Sequence, residues 1–577
     1  MEWQVIHMEP YDIEEAFAAI EEELIASMMR NMKRHKVEES AEDKRWEMWQ
    51  AKQLQALEKY KKQNQKKFQK QFSNINGSVD EIIHKARKQG GLDQEIKIMN
   101  AIKKGWKPPS SLKKSMQTNG EFFKLNDRKL NALIGATQKD FSKAEYAMLR
   151  MADDQYRKIV FNAQVYANTG AGTYEKAVDM ATKDFLGSGI NCIEYKNGAR
   201  HKISDYAFMA IQTASKRAYL TGEGERRQEW GISTVIVNKR GNPCPKCLPF
   251  VGKVLVDDVW SGGKSSGTKY PLMSTAIAAG LYHPRCKDNH TTYFPGISTA
   301  DNTWTKQELE AIEKTNKQES KQQYAQRQAA KFKRLAKFSL DEDNQRMYES
   351  RFKDWSERSE KDLLEHAIKF ENKENADTYH RERTESLWEK LENKEKEALW
   401  RYTGSDYRHM NSALRNETVS KSDKNIQDAI NNMTNAINKS QIQDDLCVRR
   451  GVSANGIAGL LGIDKEDLIS KVNDSLIDTI VTEKGFMSTG VTKEAGFPGI
   501  NLEVYLPKGT KAIYAEPFSR YGGTNTDGTW DGLQKASYIG GEAELIIQRN
   551  SQLKIKKIEK DSKGYITNMV LILVNQI

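Results

Sequence analysis

The sequence predicts a multidomain chain. A mainly α-helical N-terminal region carries a small Cys/His knuckle, a charged helical linker follows, and an α+β domain ends the chain. Three observations predict this. At 577 residues the chain is too long for one hydrophobic core. Charged residues make up 29% and mean hydropathy is −0.75, the composition of long solvated helices. Short β-rich runs punctuated by glycine (LEVYLP, AELII, MVLILV) gather in the last part of the chain. The expected divisions are 1–120, 121–300, 301–385 and 386–577.

Residues 11–75 read as amphipathic helices. Ile13, Phe17, Ile20, Leu24 and Met28 recur at helical spacing, which makes one apolar face. Glu14, Glu15, Glu21 and Glu22 fall on the opposite face, and Trp46, Trp49 and Leu57 mark a second segment. Residues 76–115, with glycines at 90–91 and KPPSS at 107–111, read as a connecting region. Helical periodicity returns over 125–230. ISTVIVNKRG (232–241) then reads as a strand, PCPKCLPF as a knuckle and SGGKSSGTKYP as a loop. Residues 304–385 are rich in Lys, Glu and Gln and suit an extended charged spacer.

The formal net charge of +11 favours an acidic partner. Acidic and basic residues are nevertheless interleaved and form no long basic stripe, so no specific nucleic-acid site is predicted. The N-terminus lacks the basic-then-apolar pattern of a secretory signal. No run approaches the roughly 18 apolar residues of a membrane span, so no membrane partner is expected. Five cysteines, an odd and sparse set, argue against a disulfide framework and fit a reducing cytoplasm.

Three of those cysteines cluster. NPCPKCLPF supplies Cys244 and Cys247, and YHPRCKDNH supplies His283, Cys286 and His290. A C-x-x-C turn aims two thiolates at one point, and a second Cys/His pair beside it completes the four ligands of a structural zinc site. Five candidates compete for four positions. The segment AEYAMLRMADDQYRKIVFNAQVYANTGAGTYEKAVDMATKDF, with CPKCLPFVGKV and HPRCKDNHTTYFPGI, resembles the minor capsid (minor head) proteins of tailed bacteriophages over most of residues 1–300. The resemblance implies a low-copy head component acting near the portal, with portal and head proteins as partners.

In YIGGEAELII, Glu542 and Glu544 lie one residue apart before an apolar run. At the start of a strand, period-two alternation sends both carboxylates to one face, where they suit a developing cation and a nucleophile. Upstream, EKGFMSTGVT offers Ser488 and Thr489. DDLCVRRGVS offers Arg449 and Arg450, suited to bidentate binding of a pyrophosphate. Leu446 and Val448 are in phase with Arg450, which does not by itself settle the choice between the two arginines.

Arg, then Ser-Thr, then Glu-x-Glu resembles the Arg–Ser–Glu class of mono-ADP-ribosyltransferases, in its branch of bacterial exoenzymes that includes the iota-type actin-modifying toxins. EKEALWRYTGSDYRHMNSALRN places Tyr402, Tyr407, Asn411 and Arg415 at the family's spacings, and INLEVYLPKGTKAIY matches its central strand; the resemblance covers about 190 residues.

The resemblance implies two small, strongly twisted sheets with N-terminal helices, and NAD bound as substrate between the sheets. It implies Arg450, or Arg449, on the NAD pyrophosphate, with Tyr407 and Asn411 lining the nucleotide site. Ser488 would orient Glu544, Thr489 would support the strand, Glu544 would stabilise the oxocarbenium ion, and Glu542 would engage an arginine acceptor on a host protein. The loop 518–541, with Phe518, Tyr521 and Trp530, stands at the family's target-recognition loop. Two departures are visible: Gly490 replaces the last serine of S-T-S, and Glu503 stands where iota-type toxins place another NAD-contacting arginine.

The combined expectation is a virion protein of the head, near the portal, carrying a transferase that acts in the bacterial host cytoplasm. Two alternatives stay open: a purely structural head protein with an inactive transferase-like domain, and an exported ADP-ribosylating toxin, extracellular, with a phage-derived carrier region.

Overall fold

The computed structural model describes residues 10–42, 46–108, 112–168, 173–195, 198–239, 243–264, 269–283, 286, 288–300, 303–492, 498–520 and 543–576. The chain divides into two compact units, Met1–Ser356 and Glu357–Ile577.

The first unit is built on long helices: α1 (Pro10–Glu42), α2 (Trp46–Lys103), α3 (Leu112–Asn168), α4 (Tyr174–Ser188) and α5 (Ile203–Glu229). The α1 stripe Ile13, Phe17, Ile20, Leu24 and Met28 is buried, and Trp49, Leu57, Phe141 and Tyr156 join the same core. The Trp46 side chain lies outside the described residues. Glu21, placed on the polar face by sequence, is buried instead; its Oε1 accepts the Ile190 amide at 3.0 Å. A backbone donor left over after α4 recruits this carboxylate.

The connecting region expected at 76–115 lies largely inside α2. Gly90 and Gly222 explain the difference. A Cβ on Gly90 would come within 2.0 Å of the Tyr219 carbonyl oxygen, and one on Gly222 within 1.9 Å of that of Arg87. The glycines bring α2 and α5 to backbone contact rather than breaking the helix, a use that outweighs their poor helix propensity.

A short hairpin of β1 (Ile193–Glu194) and β2 (Arg200–His201) precedes α5. Beyond it, a three-stranded antiparallel sheet joins β3 (Thr234–Val237) to β4 (Val254–Val256) and β5 (His290–Thr292), with α6 (Met273–Ala278) between the last two in sequence. The charged stretch forms α7 (Lys306–Phe338), opened by a Thr305–Glu308 capping box. Next come α8 (Glu342–His366), inside which the division between units falls, and α9 (Lys373–Lys390). Phe332, Leu335 and Tyr348 are buried in the first unit's core, so sparse apolar positions suffice to seat a mostly charged helix.

The second unit opens with α9, α10 (Asn393–Arg401), a π-helical turn (Tyr402–Asp406), α11 (Tyr407–Arg415) and α12 (Lys424–Asn438). Then come β6 (Leu446–Val452), α13 (Ala454–Leu461), α14 (Leu468–Lys471), β7 (Ile480–Glu483), β8 (Met487–Gly490), β9 (Ile500–Leu506), β10 (Ala512–Tyr514), β11 (Glu544–Ile547), β12 (Ser551–Lys560) and β13 (Ile566–Gln576). The strand order is β10-β11-β8-β6-β9-β13-β12-β7. The described residues join β6 to β8 at Arg449 opposite Gly490, so two sets of strands meet at a narrow seam. Leu545 and Met487 from one set and Val448, Val504 and Leu571 from the other share one core. On the opposite face, Ile546 of β11 and Phe486, just before β8, pack with Tyr402, Met410 and Met433 of the helices.

Candidate active site

Glu544 is the first residue of β11 and pairs with Gly490 of β8. It is 9% exposed. Ser488, two residues from Gly490 on the same face, donates its hydroxyl hydrogen bond to Glu544 Oε1. Thr489 faces the other way, and its Oγ1 donates to the Leu545 carbonyl at 2.7 Å, which ties the two strands together. Gly490, where the S-T-S pattern has a third serine, is buried at the end of β8.

The strand starts later than sequence alternation suggests. Ala543 has φ 52°, in the left-handed region, so the extended period-two pattern of β11 begins at Glu544. Glu542 itself lies outside the described residues, as do Tyr521 and Trp530. Phe518, placed by sequence in the recognition loop, is 1% exposed and belongs to the core against α10–α12. A large aromatic next to Pro517 is better buried against helices than held in water.

The arginine pair splits by strand alternation. Leu446 and Val448 lie in the shared core and Arg450 continues their phase, whereas Cys447 packs with Tyr505 and Leu363 and shares its phase with Arg449. Arg449 Nη2 lies 3.8 Å from Glu503, which also accepts from Lys369 at 3.0 Å. Burial opposes ionisation of Glu503, yet Lys369 and the Cys447 thiol hold its carboxyl below the usual range. Arg450 Nη1 lies 3.9 Å from Glu483. Burial drives the Tyr402 phenol well up, the Glu544 charge adds to this, and Arg450 and Arg415 work against it. Arg450 and Glu544 therefore act on the same buried hydroxyl.

Asn411 is 4% exposed and works on the backbone. Its Oδ1 accepts the Phe486 amide at 2.8 Å, and its Nδ2 donates to the Phe486 carbonyl and the Tyr402 hydroxyl, each at 3.1 Å. It fixes the entry to β8 two residues before Ser488. Tyr407 is 39% exposed, and its hydroxyl accepts from Arg408.

Two residues that sequence reasoning did not single out complete the site. Glu483 receives Arg415 in a bidentate pair (2.9 and 2.9 Å) and the Gly485 amide. Glu516, after β10, is 1% exposed and accepts the Glu544 amide at 3.3 Å. In TEKGF and AEPFS these glutamates read as ordinary surface charge. No local pattern distinguishes them, because their partners lie 68 and 28 residues away.

In the first unit, Cys244 Sγ lies 3.0 Å from His283 Nε2, and Cys247 Sγ lies 3.3 Å from Cys286 Sγ. Cys244, Cys247 and His283 form one group with metal-ligand spacing, and Cys247, Cys286 and Asp288 another. Three soft thiols and an imidazole are a donor set that fits zinc. His290 is elsewhere: its Nδ1 faces the Tyr282 hydroxyl at 2.7 Å and its Nε2 faces Arg227 at 3.1 Å. Full burial, with Arg227, Lys97 and Lys216 nearby, holds it neutral. None of the five cysteines forms a disulfide.

The two units thus define a helical region with a Cys/His knuckle and an NAD-transferase-like domain. The chain belongs to the phage minor capsid protein 2 family, which matches residues 6–365. Residues 376–575 match the ADP-ribosyltransferase exoenzyme family, so a phage minor capsid region is joined to an ADP-ribosyltransferase exoenzyme domain. Both resemblances stated from sequence are borne out.

Among solved structures, the chain is similar to the toxin Plx2a of Paenibacillus larvae (21% identity, TM-score 0.29, 36% of this chain and 100% of that one). It is also similar to the C3 exoenzyme of Clostridium limosum (20%, 0.30, 37% and 100%). A third is C3stau2 of S. aureus, solved with NAD (22%, 0.30, 37% and 100%). The comparison with curated proteins found no match.

Proposed function

We propose that this chain is a minor head protein of a tailed bacteriophage whose C-terminal unit transfers ADP-ribose from NAD to an arginine of a host protein. The observation that carries this reading is the Ser488–Glu544 pair, a nearly buried carboxylate oriented by a hydroxyl on the neighbouring strand. In the reaction, the bond between the nicotinamide nitrogen and ribose C1′ breaks, and its electron pair leaves with nicotinamide. Glu544 stabilises the oxocarbenium ion through charge already in place. The acceptor guanidinium nitrogen then bonds to C1′ and gives up a proton, for which Glu542 is the base.

Arg450 grips the pyrophosphate, supported by its position in the field shared with Glu544; Arg449, turned toward Glu503, is the second choice. Tyr407 lines the nucleotide site, and Asn411 contributes through the Phe486 backbone. Cys244, Cys247, His283 and Cys286 hold a structural zinc ion. The chain resides in the virion head near the portal and enters the host with the genome.

Full-length protein is given labelled NAD with bacterial lysate, actin or polyarginine as acceptor. Wild type is expected to transfer label and release nicotinamide. Glu544→Gln is expected to lower both by about 10²–10³-fold, the scale of losing one preorganised electrostatic group. Glu542→Gln loses transfer and keeps NAD hydrolysis. Wild-type protein that neither transfers label nor releases nicotinamide would make the domain structural. Absence of the chain from purified virions would sink the delivery route.

A further inference from the structure

The end of β10 carries a buried acid that the reaction as described does not use. Glu516 begins a short 3-10 turn, Glu516–Phe518, whose three residues are all buried. Its Oε1 accepts the Glu544 amide at 3.3 Å, and the Ala543 amide lies near the same carboxylate. From the other side, the Ala543 carbonyl accepts the Val491 amide at 3.0 Å, and the Glu544 carbonyl accepts the Ala515 amide at 2.8 Å. Ala543 is thereby held at φ 52°, a left-handed conformation unfavourable for a non-glycine residue. Strain of this kind persists only where neighbours over-determine it, and Glu516 is the side chain among them.

We propose that Glu516 is a positioning residue, a buried carboxylate that clamps the Ala543–Glu544 backbone to the end of β10 and so sets where β11 starts and where the Glu544 carboxylate stands. The inference rests on reading Glu544 as the residue that faces the NAD ribose. It adds that Glu516 and residues 543–544 are one mechanical piece, so the turn after β10 and the catalytic carboxylate are placed together.

The clamp also responds to pH. Burial lifts the Glu516 carboxyl to about 7, the two amides pull it down, and Asp377 and Lys373 of α9 push in opposite directions. The neighbouring charges and titratable groups are Glu544 on β11, Tyr514 on β10, whose hydroxyl donates to Asp377, and His380 of α9, stacked on Tyr514 at 4.3 Å. An ionised carboxylate accepts amide hydrogen bonds more strongly than a neutral acid does. The clamp therefore tightens as pH rises through neutrality.

The test compares full-length wild type, Glu516→Ala and Glu516→Gln by hydrogen exchange of the Ala543 and Glu544 amides, and by nicotinamide release between pH 5.5 and 8.5. Glu516→Ala is expected to speed exchange at both amides by about tenfold or more and to lower kcat by a similar factor, with KM for NAD nearly unchanged. Glu516→Gln keeps a neutral acceptor; it restores most of the protection and of kcat, and loses the rise in kcat through pH 7 that wild type shows. Wild-type exchange rates at these amides in Glu516→Ala would overturn the clamp. An unchanged pH limb in Glu516→Gln would overturn its titration. Exchange needs no turnover: if wild type releases no nicotinamide, the enzymatic reading falls, and the clamp still stands or falls on the exchange rates.

Discussion

A single carboxyl shows how burial converts position into pH dependence. Glu516 is raised from an ordinary 4.5 to about 7, first by burial. Between those values the folded chain binds more protons than the unfolded one, so stability falls as pH rises from about 4.5 to 7 and is level above. Ionised Glu516 costs the folded state about 3 kcal/mol, by the usual conversion of a pKa difference into free energy. Glu516→Gln should therefore unfold later than wild type at pH 8, with the difference vanishing near pH 5. Thermal melts of the full chain at the two pH values check this, and equal differences at both would contradict it. Glu21 makes the complementary point: a residue that spacing puts on a wet helix face is pulled into the core by an unpaired amide at Ile190.

At the scale of elements, the site depends on where strands begin. The entry to β8 is set by Asn411 on α11, whose amide group satisfies both the donor and the acceptor of Phe486. Asn411→Ala leaves the buried Phe486 amide without its partner, while the Tyr402 hydroxyl still donates to the Phe486 carbonyl, and is expected to cost about 1–3 kcal/mol. Because Ser488 follows two residues later, NAD turnover should fall as well; urea denaturation and nicotinamide release measure the two effects. A variant as stable as wild type would show that Asn411 is dispensable for β8. The Glu-x-Glu spacing was legible in sequence, and so was the Ser-Thr of β8. The left-handed Ala543 was not, because alanine carries no local preference for positive φ and takes it here only through long-range contacts.

For the whole molecule, the metal proposal concerns the first unit alone. If Cys244, Cys247, His283 and Cys286 close around zinc, purified protein should contain a single zinc ion per chain. Chelation should lower the melting transition of the first unit, because the binding free energy of a structural site is also folding free energy. Cys247→Ser should lose the metal, whereas substituting His290 with glutamine should keep it, since His290 faces Tyr282 and Arg227. Metal-free wild-type protein of undiminished stability would remove zinc from the account.

The sequence by itself determined that a phage minor capsid region precedes an ADP-ribosyltransferase domain, along with the apolar stripe of α1, the Cys/His cluster and the order Arg, Ser-Thr, Glu. These are local patterns whose spacing follows the period of a helix or strand, or the ligand spacing of a turn. Only the tertiary structure decided that Gly90 and Gly222 serve a helix crossing, that Phe518 belongs to the core, and that Arg450 faces Glu483 while Arg449 meets Glu503. It also decided that Glu483 and Glu516 belong to the site. The physical reason is range: burial and unpaired backbone groups select partners by distance in space, and a carboxylate carries no mark in sequence of the amide it will meet.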